Sequence, residues 1–190
     1  MFSHKKKYYL ILESIKDINL SNIKKRDKFI IIYRNKKNNE KFEQLLKFRN
    51  NCKRKHIYFY VANNFNLAKN LKADGFYISA YNHKFKKPLI NNSKFKIIGS
   101  AHNVSEIKCK KMQGCSRIIF SRLFKTSYQY KKGYLGIVRY NLMANLFKDQ
   151  LIPLGGIKIS NLNKLRIVKC NAFAVFSEVK KKPAIIDRLF

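Results

Sequence analysis

Eight short apolar runs, alternating with segments of helical spacing, constrain this chain more than any other feature. The runs are rich in Ile, Tyr, Phe and Val: YYLILES (8–14), KFIIIYRN (28–35), HIYFYVAN (56–63), GFYISA (75–80), KFKIIGSAH (94–102), SRIIFSRLF (116–124), QLIPLGG (150–156) and AFAVFSEV (172–179). Runs of this length and composition predict strands. Between them, EKFEQLLKFRNNCKRK sets Phe42, Leu45, Leu46 and Phe48 or Arg49 around one helical face, and NFNLAKNLK does the same with Phe65, Leu67, Ala68 and Leu71. SEIKCKKMQG and YNLMANLFKDQ behave similarly, and NLNKLRIVKC precedes the last strand. Strand–helix alternation argues for parallel strands joined by helical crossovers, and near-continuous apolar runs are what strands covered on both faces require. Eight such units predict an α/β fold, a single (β/α)8 TIM barrel spanning residues 1–190. A doubly wound open sheet is the alternative. At 190 residues the chain falls below the roughly 250 typical of such a barrel and near its lower limit of about 200. Its helices must therefore be short, with trimming expected after the fourth strand, where YNHKFKKPLINNS shows little helical pattern.

Charge narrows the partners. Lys and Arg number 42 against 10 Asp and Glu, a formal net charge of +32, and such a field draws in polyanions without sequence preference. The basic residues are spread over the whole length, in the Lys-, Asn-, Ile-rich set that an AT-biased genome encodes, and no RNA-binding aromatic motif or long basic amphipathic helix accompanies them. No apolar run approaches the roughly 18 residues of a membrane span. The amino-terminal MFSHKKKYYLILES meets Glu13 before any cleavage pattern, so the expectation is a cytoplasmic protein without a membrane partner. Cys52, Cys109, Cys115 and Cys170 are scattered, with no paired spacing and no His at ligand distance. They read as reduced thiols rather than a disulfide framework or zinc site.

In such a barrel the chemistry sits at the carboxyl ends of the strands. The second strand delivers Arg34-Asn35-Lys36 there, the third Asn63-Asn64, the fourth Ser79 and Asn82, and the fifth Ser100 and His102. The sixth brings Lys125-Thr126-Ser127, the seventh Gly155-Gly156 and the eighth Ser177. Small, polar or cationic groups without a carboxylate predict an anionic ligand. The paired glycines, followed by Ser160-Asn161 as a helix cap, suit a phosphate, because backbone N–H groups approach an anion most closely where no Cβ intervenes. A tight strand exit with no ligand is the plainer reading of the same pair. On the phosphate reading, a bulky residue at Gly155 or Gly156 is expected to abolish ligand binding with the fold largely intact.

Taken in order, these motifs resemble the family of thiamine phosphate synthases and their TenI-like relatives, over residues 28 to 179. YRNK (33–36) is similar to the segment that holds a pyrophosphate, implicating Arg34 and Lys36. YVANNFNLAKNLKADGFYIS (60–79) resembles the third-strand stretch that runs through DLA to ADG-x-H-L. IIGSAHNVSE (97–106) resembles the S-x-H strand end, implicating Ser100 and His102; FSRLFKTSYQYKKGYLG (120–136) implicates Thr126; LIPLGGIKISN and AFAVFSEV resemble the paired phosphate loops. The resemblance implies a TIM barrel that joins hydroxymethylpyrimidine pyrophosphate to thiazole phosphate. Arg34 and Lys36 would stabilise the leaving charge, with Ser100 and Thr126 as hydrogen-bond donors. It also implies Mg²⁺ held by one Asp after the third strand and another after the fourth, where this chain has Asn63 or Asn64, and Asn82. The expectation is a residual metal site or none. In the sixth-strand loop Thr126 is followed by Tyr128 and Gln129, with Lys131, Lys132 and Gly133 beyond, a pattern closer to the TenI-like branch. There, His102 would shuttle a proton in isomerising thiazole phosphate. A non-catalytic binder of a thiamine-related phosphate is the third reading, and association into a homo-oligomer is left open.

Overall fold

A computed structural model describes residues 7–23, 27–35, 39–85, 95–126, 133–148 and 150–176. Eight strands close into one barrel: β1 (Lys7–Leu12), β2 (Phe29–Tyr33), β3 (Tyr58–Ala62), β4 (Gly75–Ile78), β5 (Lys96–Ala101), β6 (Arg117–Ser121), β7 (Leu151–Leu154) and β8 (Ala172–Val175). Each pairs in parallel with its sequence neighbour, and β1 closes the ring on β8: Tyr8 stands opposite Phe29 on one side and Phe173 on the other. The open sheet is thereby excluded.

Alternation along the strands builds two apolar layers. Tyr9, Ile11, Ile30, Ile32, Tyr60 and Tyr77 belong to the cluster that fills the barrel, closed off on the β8 side by the small Ala172 and Ala174. Their sequence neighbours, among them Tyr8, Leu10, Phe29, Ile31, Phe59 and Phe76, face outward under the helices. Covering both faces explains why the strand runs are apolar throughout instead of alternating with polar residues.

Four α-helices are described: α1 (Phe42–Arg54), α2 (Phe65–Asn70), α3 (Val104–Met112) and α4 (Gly136–Leu146). On α1 the buried face is Leu45, Phe48, Arg49 and Cys52, the i, i+3, i+4, i+7 stripe, whereas Phe42 and Leu46 are exposed. The expected face is thus rotated, because Arg49 turns inward to an acid partner, Asp74, at 2.8 Å. Shortening is seen in two other crossovers. The crossover from β1 to β2 contains two single 3-10 turns, Ile15–Asp17 and Leu20–Asn22, capped by Ser14 and Asn19. That from β7 to β8 is a 3-10 run, Ile159–Ile167. After β4, residues 81–85 carry no helix, and the rest of the segment singled out there lies outside the described residues.

Three polar devices tie the loops to this frame. Glu40 Oε1 accepts from Ser14 Oγ at 2.6 Å and from the Ile15 N–H at 2.9 Å, joining the loop after β1 to the one after β2. Burial opposes its ionisation, but the hydrogen bonds from Ser14, Tyr33, Ile15 and Asn35 prevail and hold the carboxyl below its ordinary value of 4.5. A depressed folded-state pKa gives stability that is present above the ordinary value and lost as pH falls through the folded one. Glu40→Gln is therefore expected to destabilise the protein at neutral pH and to match the wild type in strong acid, measured by urea unfolding across an acid series.

Lys110 is the second device, with 0% exposure. Its Nζ donates to Asn82 O at 2.8 Å and Gln113 Oε1 at 2.9 Å, and Gln113 Nε2 donates in turn to Asn82 O and Phe85 O. Burial pushes the ammonium pKa down, and the acceptors in contact are neutral oxygens. They pin the chain after β4, and with it Asn82. The third device is the Arg49–Asp74 ion pair under β4.

Candidate functional site

The carboxyl end of the barrel opens into a cavity of about 740 Å³ lined by Arg34, Asn35, Asn63, Asn64, Tyr81 and Phe85, among others. Arg34 enters from the end of β2. Its guanidinium lies over the Phe176 ring, 4.7 Å from the centroid, and bonds the Tyr77 hydroxyl, which also meets Ser100. Burial pushes the Tyr77 phenol pKa up, with the Ser100 and Arg34 contacts opposing it. The hydroxyl therefore stays protonated and offers Arg34 a neutral partner. Among the described residues Arg34 Nε is buried without a hydrogen-bond partner and the cavity lining holds no carboxylate. A cation held this way is suited to an anion.

Asn63 and Asn64, interchangeable in the sequence, have separate roles. Asn64 caps α2, its side chain accepting from the Leu67 N–H at 3.0 Å. Asn63 adopts a left-handed backbone with φ 60°, a conformation Asn tolerates better than most residues. Its Oδ1 accepts from the Ser79 N–H at 2.9 Å and from Asn82 Nδ2 at 3.2 Å, while its Nδ2 donates to Ser79 Oγ at 2.7 Å. Asn82 Oδ1 accepts from the Lys84 N–H at 3.1 Å. These residues do not fit the Mg²⁺ that the resemblance implies. A hard divalent ion favours carboxylate oxygens, and here two neutral amides spend their oxygens on N–H donors. Among the described residues no group of three or more His, Cys, Asp or Glu could hold a metal.

Ser100 is buried and reaches the cavity network through Tyr77. His102 stands at the end of β5, its side chain 48% exposed, with its backbone N–H and Nδ1 both on Glu106 Oε2, at 2.8 and 3.0 Å. Burial opposes ionisation of Glu106, yet the His102 contacts and Asn103 hold its carboxyl below the ordinary range. A carboxylate on Nδ1 orients the ring and makes Nε2 the nitrogen that can take a proton. Thr126 Oγ1 accepts from Arg122 Nη1 at 3.2 Å. Lys36, Ser177 and the Lys131-Lys132 turn lie outside the described residues.

A second cleft, of about 450 Å³, is lined by Gly156, Ser160, Asn161, Lys125, Lys158 and Lys164 with others. It has three ammonium groups and the α4 start at Gly136. The glycine pair that opens it answers to the chain as well as to any ligand. Gly155 and Gly156 have φ of 100° and 68°; a Cβ on Gly156 would stand 2.5 Å from Lys125 O and 2.6 Å from Phe124 O, and one on Gly155 would stand 3.0 Å from the Arg122 side chain. A bulky residue there must displace the loop after β6, so the expectation of an intact fold is corrected. Ser160 and Asn161 also lie inside the 3-10 run instead of before it: Asn161 Oδ1 accepts from the Lys158 N–H and its Nδ2 donates to Gly156 O at 2.7 Å, fastening the glycine turn.

Tyr77, Tyr81, Arg122 and Phe176 were not among the residues expected at the site. Only the two-residue alternation that turns Tyr77 and Ser79 inward could have pointed to Tyr77.

Known proteins share both sequence and fold with this chain. The family model described as thiamine monophosphate synthase matches residues 13–179. A thiamine-phosphate synthase from Prochlorococcus marinus (strain AS9601) is 30% identical over 185 residues, 94% of this chain and 48% of its own length. One from Fusobacterium nucleatum is 24% identical over 149 residues, 76% of this chain and 72% of its own length. The chain thus spans about half the length of the first of these relatives. Among solved structures, a thiamine phosphate pyrophosphorylase from Pyrococcus furiosus superposes with a TM-score of 0.71 at 16% identity, covering 98% of both chains. A structure titled native KDPGal gives 0.69 at 8% identity, covering 98% of this chain and 95% of its own. At such identities the structural likeness speaks for the barrel alone.

Proposed function

Because this chain belongs to the thiamine monophosphate synthase family, we propose that it joins hydroxymethylpyrimidine pyrophosphate to thiazole phosphate, giving thiamine phosphate and pyrophosphate. The observation that carries this reading is Arg34, a cation with neutral partners, opening on a cavity walled by Asn amides and the rings of Phe65, Tyr81 and Phe85. That cavity suits a flat heteroaromatic ring with an anionic tail. The lysine-lined cleft at Gly156 is assigned to the phosphate of the second substrate.

In this mechanism the C–O bond between the pyrimidine methylene and the pyrophosphate breaks, and the pyrophosphate leaves with the electron pair. The thiazole nitrogen then gives its lone pair to the methylene carbon. Arg34, with Lys36 beside it in sequence, stabilises the charge that grows on the leaving oxygens, and Ser100 holds Tyr77 against Arg34. This is electrostatic catalysis by placement, with no acid–base step required. The test is pyrophosphate release by purified protein given both precursors, with and without Mg²⁺, at salt of about 0.15 M, where the Debye length of roughly 8 Å screens diffuse attraction to the charged surface. Release that requires the thiazole phosphate is the expected result; none from folded protein would sink the proposal.

The His102–Glu106 pair favours one second reading, a TenI-like isomerisation of thiazole phosphate with His102 Nε2 moving the proton. In the same samples, isomerised thiazole phosphate without pyrophosphate release would select it.

A further inference from the structure

We infer that the cavity at Arg34 takes its phosphorylated ligand as the free anion, without a divalent cation, the Asn63–Asn82 amide bridge having closed the position where a metal would sit. The inference rests on the pyrophosphate reading of that cavity.

Three features of the molecule converge on it. The first is which end of each amide is oxygen. The Ser79 and Lys84 backbone N–H groups can only donate, and they face Asn63 Oδ1 at 2.9 Å and Asn82 Oδ1 at 3.1 Å. Asn63 Oδ1 takes a second donor in Asn82 Nδ2, so both of its lone pairs are in use. For Asn63 Oδ1 to reach a metal one of these two hydrogen bonds must break, Asn82 Oδ1 already accepts from the Lys84 N–H, and a neutral amide offers a divalent ion little in return. The second feature is the charge behind the bridge. The Lys110 ammonium donates to Asn82 O at 2.8 Å and to Gln113 Oε1 at 2.9 Å, both neutral oxygens. A positive charge already stands against the residue that would have to ligate the ion. The third is the cavity lining, where Arg34 supplies a cation and, among the described residues, no side chain supplies an acid. The counter-charge for an anion is therefore built into the protein, and a bound Mg²⁺ would find no carboxylate among the described lining residues to hold it.

The experiment is calorimetric titration of inorganic pyrophosphate into the full chain at moderate salt, once in EDTA and once in Mg²⁺. Affinity in EDTA is expected to equal or modestly exceed that in Mg²⁺, by no more than about threefold, since Mg²⁺ also complexes the free anion. Arg34→Gln should lose the binding in both buffers. Asn82→Asp, and Asn63→Asp with it, should become metal-responsive, binding about tenfold tighter or more when Mg²⁺ is supplied. Wild-type binding that appears only with Mg²⁺ would overturn the inference and leave the pyrophosphate reading standing. Binding in neither buffer, or binding indifferent to Arg34→Gln, would overturn both. The wild-type comparison decides the matter even where an Asp variant fails to fold.

Discussion

Arg34→Gln is expected to weaken pyrophosphate binding about 100-fold, close to 3 kcal/mol, because truncating a desolvated charge partner typically costs 2–5 kcal/mol. The same change should barely move the unfolding transition. Among the described residues Arg34 makes no ion pair: it lies on the Phe176 ring and bonds the Tyr77 hydroxyl, and its buried Nε finds no partner there. What the fold loses is a cation–π contact worth about 0.5–2 kcal/mol; what it gains is relief from burying an incompletely satisfied cation. Tyr77→Phe separates position from charge. It keeps the ring and removes the hydroxyl that holds Arg34 and meets Ser100, so the guanidinium stays but loses its anchor, and about tenfold of affinity should go with it. Titration of both variants beside thermal unfolding tests the point. An Arg34→Gln protein that unfolds normally and binds as tightly as wild type would remove this cavity as the anion site.

The barrel was legible in the sequence for a physical reason. Each strand is covered by helices on one face and by the barrel filling on the other, so runs such as FIIIY at 29–33 have nowhere to carry polar residues. The first crossover was not legible, because residues 13–23 fold through local caps, Ser14 with Asp17 and Asn19 with Ser21, that leave no periodic trace. On α1 Phe48 and Arg49 stood as alternatives and both are buried, since nothing local signals that Asp74, 25 positions away, meets the guanidinium. The site divides in the same way. Arg34 announces itself by charge at a strand end, but Tyr77 is one more aromatic in an apolar strand. Asn63 and Asn64 differ only in a backbone conformation that their side chains do not signal. The glycine pair was visible as a feature, while its reason at Gly156, the carbonyls of Phe124 and Lys125 packed where a Cβ would stand, belongs to the loop after β6.

Asp74→Ala is expected to cost about 3–5 kcal/mol of stability, the usual result of removing one member of a buried ion pair. Asp74 Oδ1 accepts from Arg49 Nη2 at 2.8 Å and its Oδ2 from the Phe59 N–H at 2.8 Å. Arg49 also bonds Lys72 O through Nε and Nη2. The two side chains are not equally enclosed, with Arg49 at 7% exposure and Asp74 at 29%, and this asymmetry sets the order of effects. Without Asp74, the guanidinium stays buried with only a carbonyl to face, and the Phe59 N–H of β3 loses its acceptor. Without Arg49, the carboxylate keeps the Phe59 N–H and can take water, so Arg49→Met, which preserves much of the packed volume, should cost clearly less. Against a typical domain stability of about 5–15 kcal/mol, the Asp74 loss populates unfolded chains at room temperature if the protein lies at the lower end of that range. It also reaches the site, since Asp74 immediately precedes β4, the strand that carries Tyr77 and leads to Ser79. Urea unfolding of the two variants measures both quantities. Equal losses, or an Asp74→Ala cost below about 1 kcal/mol, the range of exposed pairs, would show that the pair is hydrated in solution and that β4 is held by its apolar neighbours alone.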